Sequence, residues 1–275
     1  MDRFVEVAGK QIHVYACGDG AVTVVFLSGS GVPIPQLEYG RFQNALTDAC
    51  RVIGIEKPGY GRSDLTEEDR SIDMIVDEYR QVLLSCGVTG PVVLAAHSMG
   101  FLEAVRWGQR CPAQVIGILG IDPATPECYS EFDLEKAMSG LVALSKDEQG
   151  KRVAAHAYAG QLVKEGLISA DETEAYEVLI YRNLANHSWI SEAENLKDAL
   201  GLIEKDGAYL QIPMLFFLSN GEGTTIPKDR WFELNRNYLH RIEHSQYMVF
   251  DYPHNLYQYV FREMAERSKE FIENL

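Results

Sequence analysis

Residues 91–100 read Pro-Val-Val-Leu-Ala-Ala-His-Ser-Met-Gly. The apolar run that opens this stretch is typical of a strand buried on both faces. A helix-like stretch begins near Met99, so the chain passes from strand to helix through one tight turn. Such a turn raises the hydroxyl of Ser98 out of the sheet and points the first amides of the helix at it. Ser98 is therefore a candidate nucleophile.

The same turn restricts the residues around the serine. The positions two before and two after it are crowded, and Ala96 and Gly100 are small enough for both. The usual pattern has glycine at both positions, so Ala96 is a mild departure. Small residues and turn serines are common, so the match alone is weak evidence for a nucleophile. Its position after a buried strand strengthens that evidence. We call residues 96–100 the elbow.

The size and charge of the chain limit the classes of function. Its 275 residues, 46% of them apolar, suffice for one large α/β domain with an inserted subdomain. With 40 acidic and 25 basic side chains the formal net charge is −15, so we expect no binding to nucleic acid or to an acidic membrane surface. The N-terminal residues show no signal sequence, and no apolar run approaches the roughly 20 residues that span a bilayer. We therefore expect a cytoplasmic protein.

Residue types that bind metals or nucleotides lack the spacing that those functions need. The glycines of residues 29–31 lack the spacing of a phosphate-binding loop. His240 and His244 have the spacing of a helical metal pair, but no carboxylate motif lies nearby, so we predict an ordinary surface pair and no metal. An odd number of cysteines without Cys-x-x-Cys spacing predicts buried free thiols at Cys17, Cys50, Cys86, Cys111 and Cys128.

Short apolar runs alternate with helical periodicity, and this order predicts a mostly parallel sheet with helices on both sides. An opening hairpin is predicted over residues 3–7 and 11–16. Apolar residues at three- and four-residue spacing predict a helix from Ile72 to Cys86, between Ser71 as its cap and Gly87. The other predicted elements are strands at 23–27, 51–55, 92–96, 115–121, 214–218 and 246–250, and a closing helix at 255–274.

The segment 127–207 breaks this alternation because it contains several helical patterns and no convincing strand. We predict an inserted helical cap, or lid, that covers the site and excludes water, attached to a core of residues 1–126 and 208–275. A helical lobe that only adds bulk is the alternative. Aromatic residues of the cap could line an apolar pocket, although such residues more often pack a lid onto its core; they are Tyr129, Phe132, Tyr158, Tyr176, Tyr181 and Trp189.

Four motifs, in this order along essentially the whole chain, resemble those of the α/β-hydrolase superfamily. The elbow is one, and residues 26–31, Phe-Leu-Ser-Gly-Ser-Gly, are similar to the oxyanion loop of the family, with Ser28 where histidine is common. Residues 56–63, Glu-Lys-Pro-Gly-Tyr-Gly-Arg-Ser, are similar to its Gly-x-Gly-x-Ser turn. Residues 251–254, Asp-Tyr-Pro-His, are similar to its histidine loop. The resemblance implies an α/β-hydrolase fold with a helical cap.

A serine hydroxyl needs an imidazole that takes its proton and later returns it to the leaving group. His254 lies in the matching loop and follows both the serine and the candidate acids in the chain, so we predict that it is the base. The other histidines lie outside such a loop. Among them His97 adjoins Ser98, but we expect its side chain to point away from the serine.

The histidine in turn needs an acid that fixes its tautomer and stabilises the imidazolium. In most members of the superfamily this acid follows the strand corresponding to residues 214–218, and there Glu222 stands one residue early. In a minority, including some haloalkane dehalogenases, it follows the preceding strand, which ends here at Asp122. We predict Asp122 as the acid, with Glu222 as the alternative. A turn or helix cap is the structural alternative for Asp122.

The backbone amides of Ser30 and Met99 are the predicted oxyanion hole. Together the motifs predict a carboxylesterase-like serine hydrolase that cleaves a small, largely apolar ester or other acyl substrate through an acyl-enzyme on Ser98, with no cofactor. A serine at the elbow argues against haloalkane dehalogenase and epoxide hydrolase chemistry, which use a carboxylate there. A carbon-carbon bond hydrolase, an aminopeptidase, and a small-molecule sensor of the same fold with slow or no turnover stay open.

Overall fold

In the computed structural model, which describes residues 2–275, eight strands form one sheet. The strands are β1 (Asp2–Val7), β2 (Lys10–Cys17), β3 (Thr23–Leu27), β4 (Arg51–Glu56), β5 (Val92–His97), β6 (Val115–Ile121), β7 (Met214–Leu218) and β8 (Gln246–Val249). Their order across the sheet is β1-β2-β4-β3-β5-β6-β7-β8. Strand β2 runs antiparallel to both of its neighbours, and every other pair is parallel. The predicted mostly parallel sheet is confirmed.

Helices fill most of the connections between the strands. They are α1 (Pro35–Ala45), α2 (Ile72–Ser85), α3 (Gly100–Arg110), α4 (Leu134–Lys146), α5 (Glu148–Lys164), α6 (Thr173–Asn183), α7 (His187–Glu194), α8 (Leu196–Lys205), α9 (Lys228–Leu239) and α10 (Phe261–Glu273). Short 3-10 helices occupy Pro126–Ser130, Ala170–Glu172 and Leu256–Gln258.

The central strands are buried on both faces because helices cover both sides of the sheet. On β5, Val92, Leu94 and Ala96 pack in one buried cluster with α2, α3 and α8. Val93 and Ala95 pack in a second cluster, with α1 and α10. Side chains of a strand alternate between its two faces, so an unbroken apolar run is what burial on both faces requires.

The structure differs from the predicted elements at several boundaries and adds two helices, α1 and α9, that the sequence pattern did not predict. Both place polar residues on their buried faces, Glu38 and Gln43 in α1 and Asn235 in α9, and this weakens the apolar periodicity. The predicted closing helix 255–274 is two elements, a 3-10 helix and then α10, because Val260 between them has a non-helical backbone. Six of the sixteen strand ends move by one residue, an ordinary difference.

The chain between β6 and β7 is helical, as predicted for the insertion. Helices α5, α6 and α7 share a buried cluster of their own, which also includes Ile34 and Tyr60. The apolar residues of α8 pack instead in the cluster of the sheet and α3. The cap boundaries 127–207 stay a prediction. The last helix within them, α8, packs with the sheet and α3. None of the helices in residues 2–275 combines the length and the apolar character that a membrane span needs.

Candidate active site

Ser98 lies in the turn between β5 and α3, and its φ of +50° places it in the left-handed region. A non-glycine residue adopts this conformation only where the surrounding structure holds it there. Gly100 is equally constrained, because a Cβ there would lie 2.8 Å from the carbonyl oxygen of Ser28 and 2.9 Å from that of Leu27. The turn is therefore packed tightly against the loop that follows β3, and the serine is held between strand and helix.

Asp122 and His254 meet at the end of the sheet where Ser98 lies. Asp122 follows β6, is fully buried, and places its Oδ2 2.5 Å from His254 Nδ1. The amide and hydroxyl of Ser219 donate to the two carboxylate oxygens at 2.8 and 2.6 Å, and the Trp231 indole N–H donates at 2.9 Å. These donors fix the carboxylate in the orientation in which it accepts from the imidazole.

Glu222 contacts the histidine loop through its backbone alone. Its carbonyl accepts the His254 amide at 2.7 Å, whereas the residue itself is exposed. Of the two predicted acids, Asp122 is the one whose carboxylate reaches the imidazole.

The side chains of Ser98 and His254 make no hydrogen bond to each other in this structure. Within residues 2–275 the hydrogen bonds of Ser98 are made by its backbone: the amide donates to Ile121, and the carbonyl accepts from Phe101 and Ala124. Bonds between nucleophile and base are often long in hydrolases without substrate and shorten when the substrate binds. The pairing of Ser98 with His254 stays a prediction.

The two amides predicted for the oxyanion hole are free. Among the described residues neither the Ser30 nor the Met99 amide donates a hydrogen bond to a protein group. Met99 is the N-cap residue of α3, where helical amides have no partner within the helix, and Ser30 lies in the exposed turn after β3. Free amides at a helix N-terminus can stabilise an oxyanion, and this role stays a prediction for both.

His97 does not point away from the site, and that expectation was wrong. Its ring lies against the ring of His254, with centroids 4.7 Å apart, and its Nδ1 is 2.9 Å from the hydroxyl of Tyr39. Burial and the adjacent His254 hold the pKa of His97 well below its ordinary value, so the ring is neutral. His97 ends β5, and the left-handed turn at Ser98 begins there, so strand alternation no longer sets the direction of this side chain.

A cleft of about 270 Å³ opens between α5 and the loops that carry Ser30 and His254. Glu38 lies in its wall, buried, and accepts the hydroxyls of Tyr158 and Tyr257 at 2.5 and 3.1 Å. Burial raises the pKa of Glu38 to about 7, against the lowering effect of the two tyrosines. The wall therefore carries a carboxyl group that titrates near neutral pH. Glu38 could not be found from a local pattern, because the partners that bury it are distant in the chain.

A buried ionic network near the elbow joins α3 to α7. Lys57 places its Nζ 2.6 Å from Glu103 on α3 and 3.0 Å from Glu192 on α7. Tyr79 donates to Glu103 and Tyr60 to Glu192, both at 2.7 Å. Burial acts to lower the pKa of Lys57, but the two carboxylates outweigh it and raise this pKa above its ordinary value. The lysine is therefore charged, and its charge links α3 to α7.

Metal-binding clusters are absent from the described part of the chain: residues 2–275 contain no group of three or more His, Cys, Asp or Glu side chains that could hold an ion. Helix α9 ends at Leu239 and His244 has a φ of +57°, so His240 and His244 do not share a helical face. The five cysteines are free thiols, as predicted, and Cys17 and Cys111 are only half-buried.

Sequence comparison places the chain near proteins whose names carry no function. No family model matches it. It is 26% identical over 186 residues to the uncharacterized protein YbdG of Bacillus subtilis, covering 66% of this chain and 57% of that protein. It is 24% identical over 131 residues to the uncharacterized protein YqjL of the same organism, covering 47% and 51%. The chain thus spans about half the length of the curated relatives it matches.

Solved structures share the whole architecture. An esterase from Exiguobacterium antarcticum has a TM-score of 0.73 at 18% identity, covering 99% of this chain and 100% of that one. An epoxide hydrolase from Bacillus megaterium has 0.75 at 18%, covering 98% and 100%, and a bromoperoxidase from Bacillus anthracis has 0.74 at 18%, covering 99% and 100%. Identities this low show the fold. The resemblance carried by the four motifs is confirmed at that level: this chain has the fold of the α/β-hydrolase superfamily.

Proposed function

We propose that this protein is a serine hydrolase that cleaves a small ester or other acyl substrate through an acyl-enzyme on Ser98. The observation that carries the proposal is the hydrogen bond of 2.5 Å between Asp122 and His254 at the end of the sheet where the strained elbow serine lies. A serine, a histidine and a buried acid at this place on this fold form the constellation that acyl transfer requires.

Each residue then has one step of the reaction. His254 accepts the proton of Ser98 as the hydroxyl oxygen attacks the acyl carbon, and Asp122 stabilises the imidazolium that results. The Ser30 and Met99 amides bind the oxyanion. His254 returns the proton to the leaving group, and a water activated by the same histidine then releases the acid product.

Proteins of the same fold include an esterase and an epoxide hydrolase. The serine at the elbow supports acyl transfer, because epoxide opening in this superfamily uses a carboxylate nucleophile. Ester hydrolysis is therefore the activity that we propose for this chain.

The cleft supports a small substrate, since its volume is about 270 Å³. Its wall combines Val32 and Leu162 with the carboxyl groups of Glu38 and Glu165. The largely apolar substrate predicted from the sequence stays a prediction, and we propose that its apolar part lies against Leu162 of α5.

A panel of short-chain chromogenic esters tests the proposal, with the wild-type chain compared with Ser98→Ala and with Ser130→Ala as a matched control. Ser130 is exposed and bonds only to the carbonyl of Glu127. We expect Ser98→Ala to lose at least about 10³-fold in kcat/KM and Ser130→Ala to keep the wild-type value. Full turnover by Ser98→Ala defeats the proposal. Slow stoichiometric modification of the wild type without turnover supports the sensor alternative instead.

A further inference from the structure

His97 is enclosed by three rings at the centre of the candidate site. Its centroid lies 4.7 Å from that of His254, 5.0 Å from that of Tyr257 and 5.7 Å from that of Tyr39. The residue is only 4% exposed. Packing alone is satisfied by any flat ring, so the two ring nitrogens of His97 need a separate explanation.

The Tyr39 hydroxyl holds this histidine by one ring nitrogen. Its oxygen accepts the amide of Gly29, at 3.4 Å, and lies 2.9 Å from His97 Nδ1. Burial, together with the nearby Glu38, raises the pKa of Tyr39 well above its ordinary value, so the phenol keeps its single proton.

The second ring nitrogen of His97 makes no hydrogen bond. Within residues 2–275 its Nε2 is buried and has no partner inside ordinary hydrogen-bond limits. The ring itself lies against the ring of His254, and this contact joins His97 to the candidate base.

We propose that His97 is a positioning residue that holds His254 in place for proton transfer, with Tyr39 holding the Nδ1 of His97. This inference rests on the proposed function of Ser98 and His254. It gives His97 no proton of its own to transfer, because Nδ1 is engaged by Tyr39 and the ring is buried. Through Gly29, Tyr39 and His97 the oxyanion loop, the elbow and the histidine loop are joined by side chains as well as by packing.

Kinetics of three variants test the inference: His97→Phe keeps the ring and removes the nitrogens, His97→Gln restores an amide donor, and Tyr39→Phe removes the hydroxyl. We expect His97→Phe to lower kcat by about 10- to 100-fold with little change in KM, because a base displaced by a fraction of an ångström loses its geometry. We expect His97→Gln to recover part of the loss. The Tyr39→Phe/His97→Phe double variant should be no slower than His97→Phe alone, because both changes break one connection.

A second readout does not depend on turnover. The proton between His254 Nδ1 and Asp122 Oδ2 should give a far-downfield ¹H NMR signal, and its exchange with water should be faster in His97→Phe than in the wild type. The exposed His156→Phe on α5 is the matched control and should change neither readout. Unchanged kcat and exchange in a folded His97→Phe overturn the inference, as do additive losses in the double variant. A wild type without esterase activity whose exchange still responds to His97→Phe refutes the proposed function and leaves the positioning intact.

Discussion

At the scale of single residues, the carboxylate of Asp122 accepts four hydrogen bonds, from the Ser219 amide and hydroxyl, from Trp231 and from His254. A turn cap needs one or two such bonds to local amides, whereas these donors come from sequence positions about a hundred residues or more away. The set holds one carboxylate oxygen on the imidazole, which is the requirement for an acid that orients a catalytic base.

We predict that Asp122→Asn slows ester hydrolysis by about 10⁴-fold in kcat, because an amide stabilises neither the required tautomer nor the imidazolium. Glu222→Gln, the matched change on the alternative acid, should cost less than about tenfold, since its side chain is exposed. Steady-state kinetics of the two variants decide the assignment. A larger loss in Glu222→Gln moves the acid to the loop after β7.

A second prediction concerns Glu38, whose pKa rises from 4.5 to about 7 on burial. Because the folded chain holds this proton more tightly than the unfolded chain, the unfolded state releases it first as the pH rises, and stability falls between these two pH values. Above pH 7 the free energy of unfolding is lower by the full amount, up to about 3 kcal/mol. Glu38→Gln should remove this fall, and chemical denaturation at pH 4.5, 6 and 8 measures it.

A companion variant checks the cause of the shift. The Tyr158 hydroxyl lowers the pKa of Glu38, so Tyr158→Phe should raise this pKa further and extend the fall in stability to higher pH. If the pH dependence of unfolding is the same in the wild type and in Glu38→Gln, the buried carboxyl is not its source.

At the scale of elements, α7 is joined to α3 and to the loop after β4 by a charge as well as by apolar packing. Lys57 of the loop after β4 contacts Glu103 on α3 and Glu192 on α7, and all three are almost fully buried. Buried ion pairs contribute little net stability when intact, because desolvation offsets the attraction. Removing one partner is costly, since it leaves a buried charge unpaired.

We therefore predict that Lys57→Met destabilises the fold by about 3–5 kcal/mol, because Glu103 and Glu192 lose the buried lysine that pairs with both of them. The exposed Lys197→Met on α8 is the control and should change the free energy of unfolding by less than about 0.5 kcal/mol. Adding Glu103→Gln and Glu192→Gln to Lys57→Met should recover part of the lost stability, because no unpaired carboxylate is then buried. Urea denaturation of the wild type and the three variants measures these changes, and equal stability of Lys57→Met and wild type contradicts the charge link.

The elements that the sequence predicted are those whose apolar pattern matches their burial. Strands β3, β5 and β7 are unbroken apolar runs, and α2 has one apolar face, so the pattern was sufficient. Helices α1 and α9 were missed because Glu38, Gln43 and Asn235 stand on buried faces where apolar residues are expected. A buried polar residue is stable only with partners from elsewhere in the fold, and a local pattern does not contain them.

At the scale of the whole molecule, the order of four motifs along the chain predicted the α/β-hydrolase fold, and the sheet order and the shared architecture of solved structures confirm it. Strand order also explains why Asp122 was a reasonable choice from the sequence. Strands β5 and β6 are parallel neighbours, so the residues that follow them lie at the same edge of the sheet.

The parts of the site that could not be predicted depend on contacts between distant segments. Trp231 and Ser219 reach Asp122 from sequence positions 109 and 97 residues away, and Tyr39 reaches His97 from 58 away. No local spacing encodes such contacts. The direction of the His97 side chain was predicted wrongly for a related reason. It depends on the conformation of the turn at Ser98, and the apolar pattern does not contain that conformation.

Ser98 is an activated nucleophile if it reacts with a fluorophosphonate, and the mass of the intact protein after exposure to this reagent shows whether it does. The reagent reacts when a serine oxygen attacks phosphorus and displaces fluoride, so it needs an activated serine and no knowledge of the substrate. We predict one adduct per chain, located at Ser98 by peptide mapping and absent from Ser98→Ala. A folded wild-type protein that gains no mass, or a Ser98→Ala variant that is labelled as fully as the wild type, contradicts the claim.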